Sequence, residues 1–469
     1  MEILTAEQIK ETDAFAIQSG LKETDLIENA GFAAACRIVE NFDKTPVCVL
    51  CGTGNNGADG FACARILKEF GWNVTVLLYG SYKKMRPAAL EKYTAFEGDV
   101  YPFDLQRIQK AVQKESLFVD ALFGTGFSKK LPDEIQEAFE FLNKSEAVCI
   151  ALDIPSGVNA DTGTLCPVCL KCTLTITFCR FKPAAFLYPA KEFFGKTVLH
   201  DAGIPNQAVQ NSAPFIETID ETTVRPAAPS WTDHKYTRGA VLVVGGEMTG
   251  AARLAALGAL NAGAGLVKIV CPKNTFSIYG QNPAFVTQAC DDETSLSDAM
   301  KDKKIKSIAV GMGLGNGSFA QKAVDCALKS DKPCVFDADA LTFLKGKNLN
   351  GNAVLTPHAG EFATLCPDIR ETSKVNRALT AAKRFNAVFI LKGADSVVAS
   401  PANAAINTNA PFSLATAGSG DVLAGITAAC LANGLSPYDA AKAAVCIHSN
   451  AAAKVIGNIS ALTLIENIS

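Results

Sequence analysis

The sequence contains no apolar run of about 18 residues, the length that a membrane-spanning helix requires. It also has no Lys and Arg cluster of the kind that nucleic-acid surfaces carry, and its 44 basic and 47 acidic residues leave a net charge of −3. Residues 1–20 mix charges at helical spacing and lack the apolar core of a secretion signal. These absences predict a cytoplasmic protein that binds neither membranes nor nucleic acids.

The length of 469 residues exceeds what one ordinary core holds, and two domains of roughly 200–250 residues are the expectation. Hydrophobic residues make up 48% of the chain and charged residues 19%, a balance typical of a well-packed enzyme. Residues 224–231 contain two prolines and interrupt the pattern, so they read as a linker. We therefore predict one domain over residues 1–220 and a second over residues 221–469.

Sixteen cysteines are many for such a chain. Cys166, Cys169 and Cys172 have the two-residue spacing of metal and iron–sulfur ligands. However, residues 173–178 alternate like a strand, and a free cysteine is a good small core residue. We therefore favour buried thiols in a reducing compartment over a metal centre.

Strands and helix-length segments alternate in both halves, which predicts parallel α/β sheets joined by right-handed crossovers. The predicted strands of the first half cover residues 47–50, 72–79, 117–120 and 148–153, with a helix over 58–70. Those of the second half cover residues 240–244, 266–271, 307–311, 333–337, 353–356 and 388–392, with a helix over 251–262. Acidic or glycine-rich residues follow most of these strands, at the edge where open α/β sheets bind ligands.

The segment Leu414-Ala-Thr-Ala-Gly-Ser-Gly-Asp421 precedes an apolar, helix-compatible run. Glycines let the backbone approach a phosphate, and the free N–H groups at a helix start favour an anion. An acid beside such a cradle suits a base that takes a proton from the group attacking phosphorus. The segment therefore predicts phosphoryl transfer to a hydroxyl, with Asp421 as the base.

Four more features of the second half lie at the ends of predicted strands. They are the glycine turn Gly311-Met-Gly313-Leu-Gly315, the pair Asp337 and Asp339, His358 with Glu361, and Lys392. Each has an ordinary structural reading: a strand-ending turn, a helix cap, a turn histidine or a solvated cation. Their common place at strand ends, in order, favours a single phosphate-handling site.

In the first half, Cys51-Gly-Thr-Gly-Asn55-Asn56-Gly57-Ala58-Asp59-Gly60 follows the first predicted strand. Its glycines allow approach to a phosphate, and its amides and carboxylate suit a cation or ribose hydroxyls, although a turn with Asx caps remains the alternative. Asp120 to Gly126 and Asp153 to Ser156 add oxygen atoms and a second glycine loop.

The second-half motifs resemble the ribokinase-like superfamily, and residues 225–469 are most similar to its ADP-dependent NAD(P)H-hydrate dehydratases. The chain departs from that family's pattern at Met312 and at Ala284, where proline and glutamate are usual. The resemblance implies a substrate-binding set and a nucleotide-binding set, with ADP as donor and magnesium as counterion. The substrate-binding set is Ala251, Gly313, Gly315, His358 and Asp421, and the nucleotide-binding set is Lys392, Gly393, Ala394, Asp395, Ser396, Gly418, Ser419 and Gly420.

Residues 1–215 resemble the NAD(P)H-hydrate epimerase domain, a Rossmann-like three-layer fold, with Ala58 where glycine is common. The resemblance implies a potassium ion on Asn56, Asp120 and Ser156, and Asp153 is our candidate acid/base. It also implies contacts to the hydrated nucleotide from Asn55, Asn56, Gly57, Ala58, Asp59, Gly124, Thr125, Gly126, Phe127, Ser128, Lys129, Lys130 and Asp153.

Together the two resemblances imply repair of hydrated NADH and NADPH. The first domain would interconvert the R and S hydrates. The second would phosphorylate the S form and expel phosphate, with AMP released when ADP is the donor. A homo-oligomer is expected. A small-molecule kinase and a binding module that has lost catalysis are the alternatives, although the retention of Asn56, Asp59, Asp120, Asp153 and Ser156 argues against the second.

Overall fold

Two sheets organise the chain, the first parallel throughout and the second parallel over most of its strands. The computed structural model describes residues 1–112, 116–127, 129–227, 230–232 and 234–468. The chain divides into the units Met1–Phe215 and Ile216–Ser469. The strand Ile216–Ile219 pairs with Ala404–Asn407 of the second unit, so the predicted boundary after residue 220 lies just beyond one strand of that unit.

The first unit alternates strands with helices, as the sequence predicts. Its strands are β1 Glu2–Ile3, β2 Val47–Cys51, β3 Val74–Leu78, β4 Asp99–Pro102, β5 Leu117–Ala121, β6 Val148–Leu152, β7 Leu174–Phe178 and β8 Lys196–His200. Its helices are α1 Ala6–Gln18, α2 Glu23–Asn41, α3 Asn55–Glu69, α4 Pro87–Ala95, α5 Leu105–Ala111, α6 Asp133–Lys144, α7 Lys191–Phe194 and α8 Asn206–Asn211, with 3₁₀ turns at Tyr82–Lys84 and Pro183–Ala185.

Seven of these strands form one sheet in the order β4-β3-β2-β5-β6-β7-β8, and every neighbouring pair is parallel. Strands β2, β5 and β7 are buried along their whole length, because helices cover both faces of the sheet. The strand order reverses direction between β2 and β5, which is where a doubly wound sheet opens a crevice for a ligand. The predicted Rossmann-like three-layer fold is confirmed.

The second unit continues the alternation with a larger sheet. Its strands are β9 Ile216–Ile219, β10 Ala240–Val244, β11 Leu266–Cys271, β12 Val286–Ala289, β13 Ile305–Val310, β14 Cys334–Phe336, β15 Ala353–Leu355, β16 Val388–Leu391, β17 Val397–Ala399 and β18 Ala404–Asn407. Its helices are α9 Thr249–Asn261, α10 Phe276–Tyr279, α11 Glu293–Lys301, α12 Ser318–Leu328, α13 Ala359–Leu365, α14 Lys374–Phe385, α15 Ser419–Ala432, α16 Pro437–Ala453 and α17 Ala461–Glu466, with 3₁₀ segments at Ala338–Leu344 and Phe412–Leu414.

Within this unit the strands are ordered β9-β18-β17-β16-β15-β14-β13-β10-β11-β12. The pairs from β12 across to β16 are parallel, while β16, β17 and β18 form antiparallel pairs. The ribokinase-like α/β architecture is confirmed, and the antiparallel β16–β18 segment is a feature that the sequence patterns did not predict. Strands β10 and β11 have the predicted bounds.

Helices α9 and α15 of the second unit pack closely through glycine. A Cβ atom placed on Gly425 would lie 1.9 Å from the carbonyl oxygen of Ala255, and one on Gly258 would lie 2.8 Å from that of Val422. No larger side chain fits at Gly425 without moving a backbone. This contact fixes α15, whose first turn carries the Gly418–Asp421 loop of the candidate site.

The cysteines are free thiols, and most are buried. Cys169 and Cys172 are buried, Cys172 within a hydrophobic cluster of the first unit, and burial raises the pKa of Cys169 to about 12. Among the described residues no group of three or more His, Cys, Asp or Glu side chains could hold a metal ion. The prediction of buried free thiols agrees with Cys169 and Cys172, whereas Cys166 is only partly buried, and the expectation that the cluster holds no metal stays a prediction. In the part of the chain that the structure describes, no helix is long and apolar enough to cross a membrane.

Candidate active sites

A cleft of about 670 Å³ opens in the first unit near the carboxyl ends of β2, β5 and β6. Residues that the sequence predicts as substrate contacts line it together with residues of α1 and the loop after β7. The predicted lining residues are Asn55, Asn56, Asp59, Gly124, Thr125, Gly126, Phe127 and Asp153; others on the cleft wall are Lys10, Asp13, Glu23, Arg86 and Lys182. The cleft is thus the place where the glycine loops of this unit meet.

The first of these loops runs directly into α3. Gly54 caps the helix with extended backbone, and α3 begins at Asn55. A Cβ atom on Gly57 would lie 2.0 Å from the carbonyl oxygen of Gly52, so the loop and the first helical turn touch backbone to backbone. Asn55 and Asn56 of this first turn line the cleft, and the free N–H groups of a helix start favour a phosphate there.

Asp153 follows β6 in a left-handed conformation, with φ of 67°. Such a conformation is strained for a residue with a Cβ atom and persists where the surroundings impose it. One carboxylate oxygen, Oδ2, accepts a hydrogen bond from the backbone N–H of Thr125 at 3.2 Å, and Oδ1 accepts one from the Thr177 hydroxyl at 3.4 Å. The turn thereby points the Asp153 carboxylate into the cleft between the two glycine loops.

Lys182 holds the other side of this carboxylate. Its ammonium group pairs with Asp153 Oδ1, and it also donates to the Thr177 hydroxyl at 3.0 Å and to the Phe178 carbonyl at 2.8 Å. The Lys182 side chain is only 1% exposed. The sequence reasoning missed this residue, because a lysine four positions after a strand carries no recognisable signal of its own.

Below the cleft, Asp120 and Ser156 form a buried pair. The Ser156 backbone N–H donates to Asp120 Oδ2 at 2.7 Å, and its hydroxyl lies 2.7 Å from Asp120 Oδ1. Burial raises the pKa of Asp120 to about 6, although these hydrogen bonds oppose the rise. The pair ties the loop after β5 to the loop after β6.

Asn56 completes the set that the sequence predicts for a cation. Both polar atoms of its side chain are buried, and neither has a hydrogen-bond partner within the described residues. A buried amide without a partner is rare and costly, so the Asn56 side chain indicates a site that binds a ligand. An amide oxygen without a partner, a carboxylate and a hydroxyl are oxygen ligands that suit a hard monovalent cation, so Asn56, Asp120 and Ser156 fit potassium by their chemistry.

Two further carboxyl groups of the cleft have raised pKa values. Burial, reinforced by the Asp153 carboxylate, raises the pKa of Asp59 well above its ordinary value. Burial also raises the pKa of Asp13 to about 6, although Lys182 opposes it. Asp13 lies on α1, which the sequence gave no reason to place at a site. The cleft therefore combines several carboxyl groups with one buried cation.

Some predicted residues lie outside the cleft lining. Gly57 and Ala58 are buried beneath the loop, and Ala58 packs against Ile27 and Ala62. Lys129 and Lys130 are exposed, and Lys130 pairs with Asp133 at 3.2 Å. Ser128 lies outside the described residues. The role of these residues in binding the nucleotide stays a prediction.

In the second unit the loop before α15 has the predicted geometry of an anion cradle. Gly418 caps the helix in a left-handed conformation with φ of 84°, and α15 begins at Ser419. A Cβ atom on Gly420 would lie 3.3 Å from Lys392 Nζ, so the lysine reaches the first turn of the helix. The helix N-terminus and the ammonium group together favour a phosphate at this point.

Lys392 also contacts two acids. Its Nζ lies 2.8 Å from Asp337 Oδ1 and 3.7 Å from Glu361 Oε2, and the Thr356 hydroxyl donates to the same Asp337 oxygen at 2.6 Å. Burial lowers the pKa of Lys392, but the Asp337 and Glu361 carboxylates outweigh it and the net change is upward. The ends of β14, β15 and β16 are therefore joined through one buried cation.

Asp421 lies in the first turn of α15. Burial and the neighbouring Asp337 carboxylate raise the pKa of Asp421 to about 6, while Lys392 opposes the change. A carboxyl group with this pKa is ionised near neutral pH and is a stronger base than an exposed aspartate. The predicted base therefore lies beside the cradle with a pKa that suits the role.

Two of the predicted substrate residues of this unit lie close together, and a third bonds the segment after β14. A Cβ atom on Gly313 would lie 3.1 Å from the Cβ atom of Ala251, and the Gly315 backbone N–H donates to Asp339 Oδ2 at 2.8 Å. Met312, which departs from the family pattern, is fully buried, and Ala284 is exposed. Met312 therefore belongs to the core behind the turn, and Gly313 and Gly315 have left-handed φ angles of 63° and 79°.

His358 has a structural role in addition to its predicted one. It caps α13, and its Nδ1 accepts hydrogen bonds from the Gly360 and Glu361 backbone N–H groups. Its Nε2 lies 3.4 Å from Glu361 Oε1, and the ring is largely exposed. His358 therefore holds the turn that brings Glu361 to Lys392, and substrate binding by its ring stays a prediction.

The predicted nucleotide segment after β16 turns tightly. The Ser396 hydroxyl donates to the Gly393 carbonyl at 2.8 Å, and the Asp395 carboxylate pairs with Lys374 at the start of α14. Burial lowers the pKa of Lys374, although Asp395 opposes it. Lys374 was not predicted, and only the packing of α14 against this turn shows that it belongs to the region.

These two arrangements define an α/β protein with two candidate sites: a Rossmann-like cleft around the Asp153 carboxylate, and a ribokinase-like glycine loop with Lys392 and Asp421 nearby. Residues 241–469 match the family model described as NAD(P)H-hydrate dehydratase. Residues 23–184 match the model described as YjeF-related protein N-terminus.

Curated relatives match nearly the whole chain. The bifunctional NAD(P)H-hydrate repair enzyme Nnr of Thermofilum pendens is 34% identical over 96% of this chain and 91% of its own length. The Escherichia coli protein of the same name is 33% identical over 93% of this chain and 86% of its own length. A solved structure of an ADP/ATP-dependent NAD(P)H-hydrate dehydratase from Bacillus subtilis, co-crystallised with ATP and Mg²⁺, is 27% identical in sequence. The match covers 52% of this chain and 92% of the Bacillus subtilis chain, with a TM-score of 0.47.

The chain belongs to the family of bifunctional NAD(P)H-hydrate repair enzymes. The predicted pairing of an isomerase domain with a lyase domain is thereby confirmed at the level of the family.

Proposed function

We propose that the first unit interconverts the R and S hydrates of NADH and NADPH at the cleft around Asp153. The hydroxyl group of the hydrate is on a carbon beside the ring nitrogen. Protonation of that hydroxyl releases water and leaves a carbon–nitrogen double bond, and water that adds to the opposite face returns the proton. Asp153 is the acid/base for these transfers, because its Oδ2 faces the cleft beside Gly124 and Thr125.

The second unit acts on the S hydrate. Asp421 takes the proton of the hydroxyl as that oxygen attacks the terminal phosphorus of the nucleotide, and the bond from that phosphorus to the remaining nucleotide breaks. The loop Gly418–Gly420 and Lys392 stabilise the charge on the transferring group. The ring nitrogen then expels phosphate, a far better leaving group than hydroxide, and NAD(P)H forms after loss of a ring proton. The observation that carries this proposal is the Lys392 ammonium beside the first turn of α15, next to a base with a pKa of about 6.

The donor is ADP, which would leave as AMP. Residues Gly393–Ser396 and the Gly418–Gly420 loop would hold it, since both flank Lys392. Magnesium would enter with the nucleotide, because Mg²⁺ is commonly bound by one or two carboxylates together with substrate phosphates. Potassium would be held in the first unit by Asn56, Asp120 and Ser156, where it would supply positive charge near the substrate's phosphates. A homo-oligomer is the expected assembly.

Two matched variants test the proposal. Asp421→Asn should abolish regeneration of NADH from the S hydrate and leave epimerisation unchanged. Asp153→Asn should do the reverse, so that the S form is repaired and the R form persists. Chromatographic separation of the two epimers before and after addition of ADP measures both steps. Normal dehydration by Asp421→Asn, or normal epimerisation by Asp153→Asn, would overturn the corresponding assignment.

A small-molecule kinase is the second candidate for the second unit, because the anion cradle alone would serve it equally well. A kinase would release a stable phosphorylated product and would not regenerate NADH. Analysis of the products by phosphorus NMR separates the two outcomes.

A further inference from the structure

We propose that Lys182 is the positioning residue of the epimerase cleft, which fixes Asp153 so that only Oδ2 is available to the substrate. The inference rests on the proposed role of Asp153 and deepens it. It concerns a residue that neither the sequence motifs nor the family resemblance brought to the site.

The first step concerns the ammonium group itself. A lysine ammonium has three N–H donors. The Lys182 donors meet three acceptors: Asp153 Oδ1, the Thr177 hydroxyl at 3.0 Å and the Phe178 carbonyl at 2.8 Å. With every donor engaged by the protein, Lys182 has none left for a substrate phosphate or hydroxyl. It therefore acts through Asp153 rather than on the substrate.

The second step concerns the two oxygens of Asp153. Oδ1 accepts from Lys182 and from the Thr177 hydroxyl, so its lone pairs are occupied. Oδ2 accepts from the Thr125 backbone N–H at 3.2 Å, and it lies 3.1 Å from the point where a Cβ on Gly124 would be. The absence of a side chain on Gly124 leaves space in front of Oδ2. The oxygen that faces this space is therefore the one that can exchange a proton with the substrate.

The third step concerns charge. Asp153 shares the cleft wall with Asp13, Asp59 and Glu23, and these carboxyl groups would repel an ionised Asp153 if no cation were present. Lys182 is 1% exposed, so its charge is little screened by water. The cleft also contains Lys10 and Arg86, but both are exposed at its rim. Lys182 is the cation buried against Asp153, and it offsets the repulsion at the reacting end.

The fourth step concerns conformation. Asp153 is held at φ of 67°, which L residues rarely adopt. Lys182 lies four residues after β7 and donates a hydrogen bond to the carbonyl of Phe178, the last residue of that strand, so its ammonium group is tied to the end of the sheet. The ammonium thus couples the strained turn after β6 to the end of the neighbouring strand. Its loss would free the Asp153 side chain to rotate while leaving the strands in place.

The test is Lys182→Met, which preserves the length of the apolar stem and removes the charge. In steady-state epimerisation of NADH hydrate we expect kcat to fall about 100-fold, within the range that acid–base positioning supplies, while KM changes less than threefold. Methylammonium ions should restore at least a tenfold part of the lost rate, because they refill the vacated cation position. Thr177→Val, which removes one partner of the same ammonium, should lower kcat by less than tenfold.

Dehydration of the S hydrate by the same Lys182→Met chain shows that the protein is intact, and a two-transition melting curve shows whether the first unit is folded. Unchanged kcat in a folded Lys182→Met protein would overturn the proposal. So would a rise in KM alone, since that result would mean that Lys182 binds substrate. If Lys182→Met lost activity without any rescue by methylammonium while Asp153→Asn retained epimerisation, the proposed role of Asp153 would fail as well, and the two failures are thereby distinguished.

Discussion

Lys392 Nζ lies 2.8 Å from Asp337 Oδ1, and both side chains are largely buried at the ends of neighbouring strands of the second unit. The same ammonium reaches the first turn of α15, where Gly420 leaves space for it. One cation therefore links the acid pair after β14 to the anion cradle. A buried pair of this kind is strongly destabilised when one partner is removed, because the other charge is left uncompensated.

Replacement of Lys392 should therefore damage both binding and catalysis in the second unit. Lys392→Met should lower kcat/KM for dehydration by at least 100-fold, since it removes the charge that stabilises the transferring phosphoryl group. Initial rates of NADH formation from the S hydrate measure the effect. Lys347→Met, which changes an exposed lysine of the same unit, is the matched control and should have no effect. Retention of wild-type kcat/KM by Lys392→Met would contradict this role.

The pH dependence of dehydration should follow Asp421. Its pKa of about 6 is raised by burial and by Asp337, and the base is active only when ionised. The rate constant at saturating nucleotide should therefore be flat above pH 7 and fall toward tenfold per pH unit below pH 6. A profile of kcat between pH 5 and 8 tests this expectation. A rate that stays constant down to pH 5 would exclude Asp421 as the base.

The same pKa shift predicts a stability effect of opposite sign. Because the folded-state pKa lies above the ordinary value of 3.8, ionisation of Asp421 costs stability as pH rises through about 6. Asp421→Asn removes that cost and should stabilise the second unit by roughly 1–3 kcal/mol at pH 8. At pH 4 the two proteins should unfold with nearly equal free energies. Urea unfolding at the two pH values provides the comparison, and a destabilised Asp421→Asn protein at pH 8 would show that another interaction dominates.

Potassium should bind and stabilise the first unit through Asn56. Its buried amide has no partner within the described residues, and a ligand that binds only the folded state raises stability in proportion to the logarithm of its concentration. Replacing potassium by tetramethylammonium should lower the melting temperature of the first unit and slow epimerisation. Asn56→Leu should remove the sensitivity to potassium. Asn143→Leu, which replaces an amide elsewhere in the first unit, is the control and should retain that sensitivity. Equal responses of wild type and Asn56→Leu would place the cation elsewhere.

The close packing of α9 and α15 should make Gly425 intolerant of any side chain. Gly425→Ala would bring a Cβ to 1.9 Å from the Ala255 carbonyl, and overpacking of this kind costs about 1–3 kcal/mol or more. Gly250→Ala is a matched helical control, since a Cβ there meets nothing within 4 Å. It should be neutral or slightly stabilising. Calorimetry measures the melting temperatures of the two variants. Equal melting temperatures would show that α9 and α15 can move apart at little cost in stability.

The sequence predicted the features that repeat along a chain. Alternating apolar strands and helix-length segments predicted both sheets, and strands β10 and β11 have the expected bounds because long buried runs leave little freedom. The glycine and acid motifs drew attention to the turn after β6, which carries Asp153, and to the start of α15, which carries Gly418 and Asp421, while the roles of these residues stay predictions.

The features that sequence reasoning missed depend on distant packing. Lys182 and Lys374 contact Asp153 and Asp395 only because separate loops converge. Asp13 is on a helix whose charges look like those of any solvated surface, and its burial arises from the cleft wall. No local pattern records such encounters. The antiparallel strand β17 was missed for another reason: it covers only Val397–Ala399, which is too short to show a periodic pattern.

The central claim is that two sites in one chain together convert both hydrates to NAD(P)H. The most direct measurement follows NADH absorbance and phosphate release from an equimolar mixture of the R and S hydrates, with ADP, magnesium and potassium present. The account predicts complete conversion of both epimers, with one phosphate and one AMP released for each NADH formed. Conversion that stops when the S form is exhausted, or accumulation of a stable phosphorylated nucleotide, would contradict it.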